Sequence, residues 1–123
     1  MTKLLLKNFD SADETRPIAK GTVEVVDLAD VQVMRTTLEP GWRWSESVKP
    51  IVKTDSCQVH HLSYVISGRL GVQMDDGSTA EFGPGDVGVI PPGHDAWVVG
   101  NAPCVSLDFR GGAIYAKPPS AGS

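Results

Sequence analysis

Long apolar runs are missing from this chain of 123 residues: the best candidate, Leu4-Leu5-Leu6, stops at Lys7. It falls far short of the ~20 residues that span a bilayer and is too brief for a secretory h-region, so no membrane partner is expected. A cationic stripe is missing too. Eleven Lys and Arg are scattered against 15 Asp and Glu for a formal charge of -4, which argues against nucleic acid as a partner. Cysteine is scarce, with only Cys57 and Cys104; a pair without a secretory signal reads as two free thiols in a reducing compartment. The expectation is a soluble, cytoplasmic protein. Helical periodicity is nearly absent as well, because apolar residues recur at every second position between closely spaced turn signals.

Turn formers are plentiful, with 13 Gly and 9 Pro, and the hydrophobic content of 41% is enough for one real core. The alternation predicts strands at Val23 to Val26, Val31 to Thr36, His61 to Ser67, Leu70 to Met74, Ala80 to Phe82, Val87 to Ile90, Ala96 to Val99 and Val105 to Phe109. Between them lie Glu39-Pro40-Gly41, Asp75-Asp76-Gly77 and Gly83-Pro84-Gly85-Asp86, each with the residues that tight turns require. Trp42 to Glu46 alternates aromatic with polar residues, and Lys49 to Ser56 reads as a looser segment. Many short strands at this spacing imply an all-β sandwich or closed barrel, since closure removes exposed edges.

The run Tyr64-Val65-Ile66-Ser67-Gly68-Arg69-Leu70, then Gly83-Pro84-Gly85-Asp86, then Ile90-Pro91-Pro92-Gly93-His94, resembles the cupin superfamily over about residues 30 to 110. The resemblance implies a double-stranded β-helix, a jelly-roll-like barrel. The expectation is one cupin domain over residues 1–116, with N-terminal strands within 3–26 packed on it, and a flexible tail at 117–123, where two prolines, Ala, Gly and two serines follow Lys117. The resemblance also implies a homodimer, because cupin sheets are often covered on the outer face by a partner subunit.

This chain departs from the family's metal-binding pattern. The family's glutamate position, seven residues before Gly68, falls on His61. The two family histidines fall on Ser47 and Lys49 counting forward from Gly41, or on Asp55 and Cys57 counting back from His61. Both registers stand at this point. Three residues past Gly93 the family has histidine, and this chain has Ala96.

All three histidines, His60, His61 and His94, nevertheless lie in the two motifs, and with Cys57 they form a candidate cluster. Imidazole and thiolate suit one divalent transition metal: zinc, iron, nickel or copper. Neighbours on a strand face opposite ways, so at most one of His60 and His61 points inward. Burial of Leu62, Tyr64 and Ile66 would favour His60, whereas the resemblance favours His61, and we follow the resemblance. A straight strand would hold Cys57 about 13 Å from His61 at ~3.3 Å per residue, so sharing an ion requires a bend. The candidate metal residues are therefore His61, His94 and Cys57, with Glu46, Trp44, Tyr64 and Trp97 as pocket residues. The reading is a barrel that binds a small molecule, with or without one metal ion. Its rivals are a metal-dependent oxygenase or isomerase, and a purely structural or regulatory dimer module.

Overall fold

The computed structural model describes residues 3–110, so the tail expected at 117–123 lies outside the described residues. Nine strands follow in chain order among them: β1 Glu14–Ile18, β2 Gly21–Asp27, β3 Gln32–Leu38, β4 His61–Ser67, β5 Leu70–Met74, β6 Thr79–Phe82, β7 Val87–Ile90, β8 His94–Val98 and β9 Cys104–Asp108. They form two antiparallel sheets, one ordered β1-β2-β3-β9-β4-β7 and the other β6-β5-β8. The result is a jelly-roll-like β fold. Residues 3–13 hold no strand, only a short 3-10 turn at Phe9–Ser11, so the N-terminal strands begin at Glu14.

Period-two patterning decides which side chains meet inside. Buried positions alternate through β3 (Met34, Thr36, Leu38), β8 (His94, Ala96, Val98) and β9 (Cys104, Ser106, Asp108). Pairing sets these in rows: Met34 opposes Asp108, which opposes Ser63, and Thr36 opposes Ser106, which opposes Val65. Polar residues from three strands therefore share one interior region, ringed by Leu38, Trp42, Trp44, Leu70 and Ile90.

The turns carry the chemistry expected of them. At Asp75-Asp76-Gly77 the Met74 N–H donates to Ser78 O at 2.8 Å, and Gly77 takes φ +92°. Gly68 turns β4 into β5 at φ +76°, and a Cβ there would sit 2.2 Å from Pro103 O. Only glycine fits both the dihedral and the space.

The structure corrects the reading of residues 42 to 56. Arg43 bridges Trp97 as a short antiparallel partner of β8, with Val98 N–H donating to Trp42 O at 3.0 Å. The chain then leaves the sheet in two single-turn helices, α1 Trp44–Ser47 and α2 Lys49–Val52. The Asp95 carboxylate accepts from Ser45 N–H at 3.1 Å, supporting the first turn of α1, and Pro50 near the start of α2 is preset for a helical φ. Four-residue helices leave too little periodicity for a sequence pattern to reveal.

Candidate metal centre and its cavity

His61 opens β4, and its inward face is shared with Ser63 and Val65, while Leu62, Tyr64 and Ile66 look outward. His60 is exposed. Of the two arguments about this strand, the one from the resemblance describes the molecule. The apolar outer set misled the burial argument because that face is itself apolar.

Cys57 reaches His61 through a bend. Residues 58 to 60 belong to no strand, and Cys57 pairs instead with His94: its N–H donates to His94 O at 2.7 Å, and Gly93 N–H donates back to Cys57 O at 2.7 Å. Ser56 Oγ, donating to Asp75 at 2.8 Å, anchors the loop from the other side. The thiol is thereby carried onto the open end of β8 and set beside both imidazoles. The ligand atoms of Cys57, His61 and His94 all lie within 4.8 Å of one another, and all three residues are buried. Counting back from His61 is thus the register that reaches this cluster, whereas Ser47 ends α1 and Lys49 starts α2.

Each ring is oriented by an acceptor on its Nδ1 side. His61 Nδ1 bonds the Asp108 carboxylate, and His94 Nδ1 lies 2.7 Å from Pro91 O. A carbonyl can only accept, so His94 carries its proton on Nδ1 and presents Nε2. His61 presents Nε2 to Cys57 Sγ at 3.6 Å. The two rings meet edge to face with centroids 5.2 Å apart. Burial pushes His94 down to about 4, with His61 adding to the shift and the Pro91 carbonyl opposing it, so its ring is neutral near pH 7. Burial also pushes the Cys57 thiol up to about 12.

The donor set fits a transition metal. Metal–sulfur and metal–nitrogen bonds of about 2.3 and 2.1 Å at a tetrahedral angle place S and N about 3.6 Å apart, and the Cys57–His61 separation is 3.6 Å. Carboxylate-supported imidazole is the usual outer arrangement of a metal-bound histidine. Ala96 faces inward where the family pattern has histidine, and His94 lies two residues earlier on the same face of β8.

Beside the cluster is a cavity of about 40 Å³ lined by residues that include His61, His94, Asp108, Thr36, Ser106, Trp42 and Trp44. Trp44 is the one expected pocket residue among them. Glu46 is a correction: it stands on α1 with its side chain 75% exposed, facing Arg43 at 3.9 Å. Tyr64 is another, since the alternation of β4 sends it to the outer face opposite Val87. Trp97 is the third. It alternates outward from β8, covers Gly71, where a Cβ would lie 2.4 Å from the indole, and stacks under Arg43 at 4.9 Å.

Asp108, Thr36 and Ser106 escaped the sequence reading, whereas the resemblance that turns His61 inward also turns Ser63 inward. The only trace was alternation in Cys104-Val105-Ser106-Leu107-Asp108, in which the polar set turns out to be the buried one. Thr36 Oγ1 and Ser106 Oγ satisfy each other at 2.7 Å, which makes that inward polarity tolerable.

Comparison with known proteins agrees with this architecture. The EutQ-like cupin domain family matches residues 47–104. An oxalate decarboxylase from Lactobacillus farciminis, solved as a formate complex, superposes with a TM-score of 0.60 at 20% identity over 83% of this chain. The chain spans 32% of that enzyme's length. A protein of unknown function from Rhizobium leguminosarum superposes at 0.62 with 19% identity, covering 88% of this chain and 97% of its own. A protein described as ethanolamine utilization protein Q, from Salmonella typhimurium, gives 0.53 and 16%, covering 76% of this chain and 70% of its own. No curated protein is similar enough to match. Structural likeness at such identities speaks for the fold alone: the chain has a cupin-like jelly-roll fold, and its residues 47–104 are similar to the EutQ-like cupin domain family.

Proposed function

We propose that this cupin-like protein binds a small molecule inside its barrel, next to one divalent transition metal held by Cys57 Sγ, His61 Nε2 and His94 Nε2. The observation that carries the reading is the orientation of both rings: each has Nδ1 committed to an acceptor and Nε2 as the nitrogen offered beside a buried thiol. Zinc, iron, nickel and copper all suit such donors. Three protein ligands would leave an open position on the ion for an oxygen of the small molecule. The chain's own residues would exclude water, orient the ligands and supply hydroxyl groups from Thr36 and Ser106. The reading concerns binding, and the rival of a metal-dependent oxygenase or isomerase draws on the same open position.

Metal analysis of untagged protein tests this directly. About one equivalent of metal in the wild type, lost in His61→Ala, is expected. A wild-type protein that holds no metal after reconstitution with zinc, iron, nickel and copper in turn would sink the metal centre.

We further propose a cytoplasmic homodimer. Val87 is 65% exposed and Val89 56%, and they lie across from Tyr64 and Leu62 on the outer face of the β4–β7 pair. Exposed apolar neighbours of this kind are costly in water and suit burial against a second copy. Two buried free thiols suit a reducing compartment.

A further inference from the structure

We propose that the indole Nε1–H of Trp42 is the donor that recognises the small molecule, and that this molecule presents an acceptor oxygen, as a small carboxylate or carbonyl compound does. The inference deepens the binding reading above and rests on it.

Among the described residues, Trp42 Nε1 is the one buried side-chain nitrogen or oxygen recorded without a hydrogen-bond partner. The residue is only 2% exposed, so bulk water does not supply one. Buried polar groups are nearly always bonded, and an exception in a native fold calls for an explanation. Trp42 is no accidental core residue. Its backbone is tied to β8 through Val98 N–H at 3.0 Å, and Gly41, at φ +91°, turns the chain so that Trp42 joins the wall of the cavity.

That wall holds the other groups a small polar ligand would meet. Thr36 and Ser106 are bonded to each other, and one hydroxyl hydrogen suffices for that bond, so the second can serve a guest. Indole nitrogen is a donor only and admits no donor-only guest. Size narrows the class further. A space of about 40 Å³ exceeds the ~10–15 Å³ that one water requires but suits a guest of only a few heavy atoms. Among the described residues no Lys or Arg lines it, so an anionic guest would find its positive charge in the metal and not in a side chain.

The probes are acetate and acetamide, equal in size and different in charge, titrated into 15N-labelled protein with and without one equivalent of zinc. The sequentially assigned Trp42 indole cross-peak is expected to move downfield and saturate with at least one of them. Trp42→Phe is expected to keep its zinc stoichiometry and to weaken that ligand about tenfold. Saturation by acetate alone assigns the carboxylate source; saturation by both assigns the shared acceptor oxygen. Binding that leaves the Trp42 peak unmoved, unchanged affinity in Trp42→Phe, or no saturable response to either probe would overturn the proposal. Wild-type observation alone decides the case should the variant not fold. Absence of zinc uptake sinks the metal centre separately, and a saturable Trp42 shift in the metal-free titration would still uphold the indole donor.

Discussion

Asp108 holds the Nδ1 edge of His61 across the β4–β9 pair. Asp108 stands directly opposite Ser63, so its carboxylate reaches diagonally to the next inward residue of β4. The other carboxylate oxygen accepts from Arg110 N–H at 2.8 Å, which fixes the group in place. Asp108→Asn is expected to weaken zinc about 10- to 100-fold, the usual effect of losing a partner behind a metal-bound histidine. Competition against a chromophoric chelator measures it, and unchanged affinity would remove Asp108 from the site.

Cys57→Ser replaces a soft donor by a hard one of nearly equal size. Zinc at a hundredfold excess over its Kd is expected to stabilise the wild type by about 2.7 kcal/mol and the variant by much less. Thermal unfolding with zinc, and again with excess chelator, reads the difference. Equal zinc-induced shifts in the two proteins would count against a thiolate ligand.

Cys104 provides a pH test away from the cluster. Burial raises its thiol from 9.0 to about 11, so between those values the unfolded chain has lost a proton that the folded chain keeps. Stability then falls as pH rises. Its contribution is complete below pH 9 and disappears as pH climbs through about 11. Urea unfolding under reductant across that range should show a shallower alkaline decline in Cys104→Ala than in the wild type. Parallel declines would mean that the thiol is not held protonated by the fold.

Gly68→Ala forces a side chain into a left-handed conformation and against Pro103 O, 2.2 Å from the new Cβ. A loss of at least about 1–3 kcal/mol follows from the dihedral alone. Denaturant midpoints check this, and a neutral result would show that the β4–β5 turn can shift.

Val89→Lys places a charge in the apolar outer face opposite Leu62 while leaving the interior untouched. Light scattering after size exclusion is expected to report a dimer for the wild type and a monomer for the variant. A monomeric wild type would end the dimer reading.

Much of this molecule was legible from its residues alone. His61–Ser67, Leu70–Met74 and Val87–Ile90 form strands over the very spans that alternation indicates, because period two and glycine or proline punctuation are local properties written in consecutive residues. The chemical type of the cluster was legible as well, since thiol and imidazole advertise themselves wherever they fall. Hidden from sequence were the bend that brings Cys57 onto β8, the two helical turns after Trp42, and the inward direction of Asp108. Each depends on partners distant along the chain: Cys57 on His94, Ser45 on Asp95, His61 on Asp108. Residue order dictated where strands begin and end, whereas closure of the sheets alone determined which polar groups face one another, because that choice is made by hydrogen bonds and burial across the barrel.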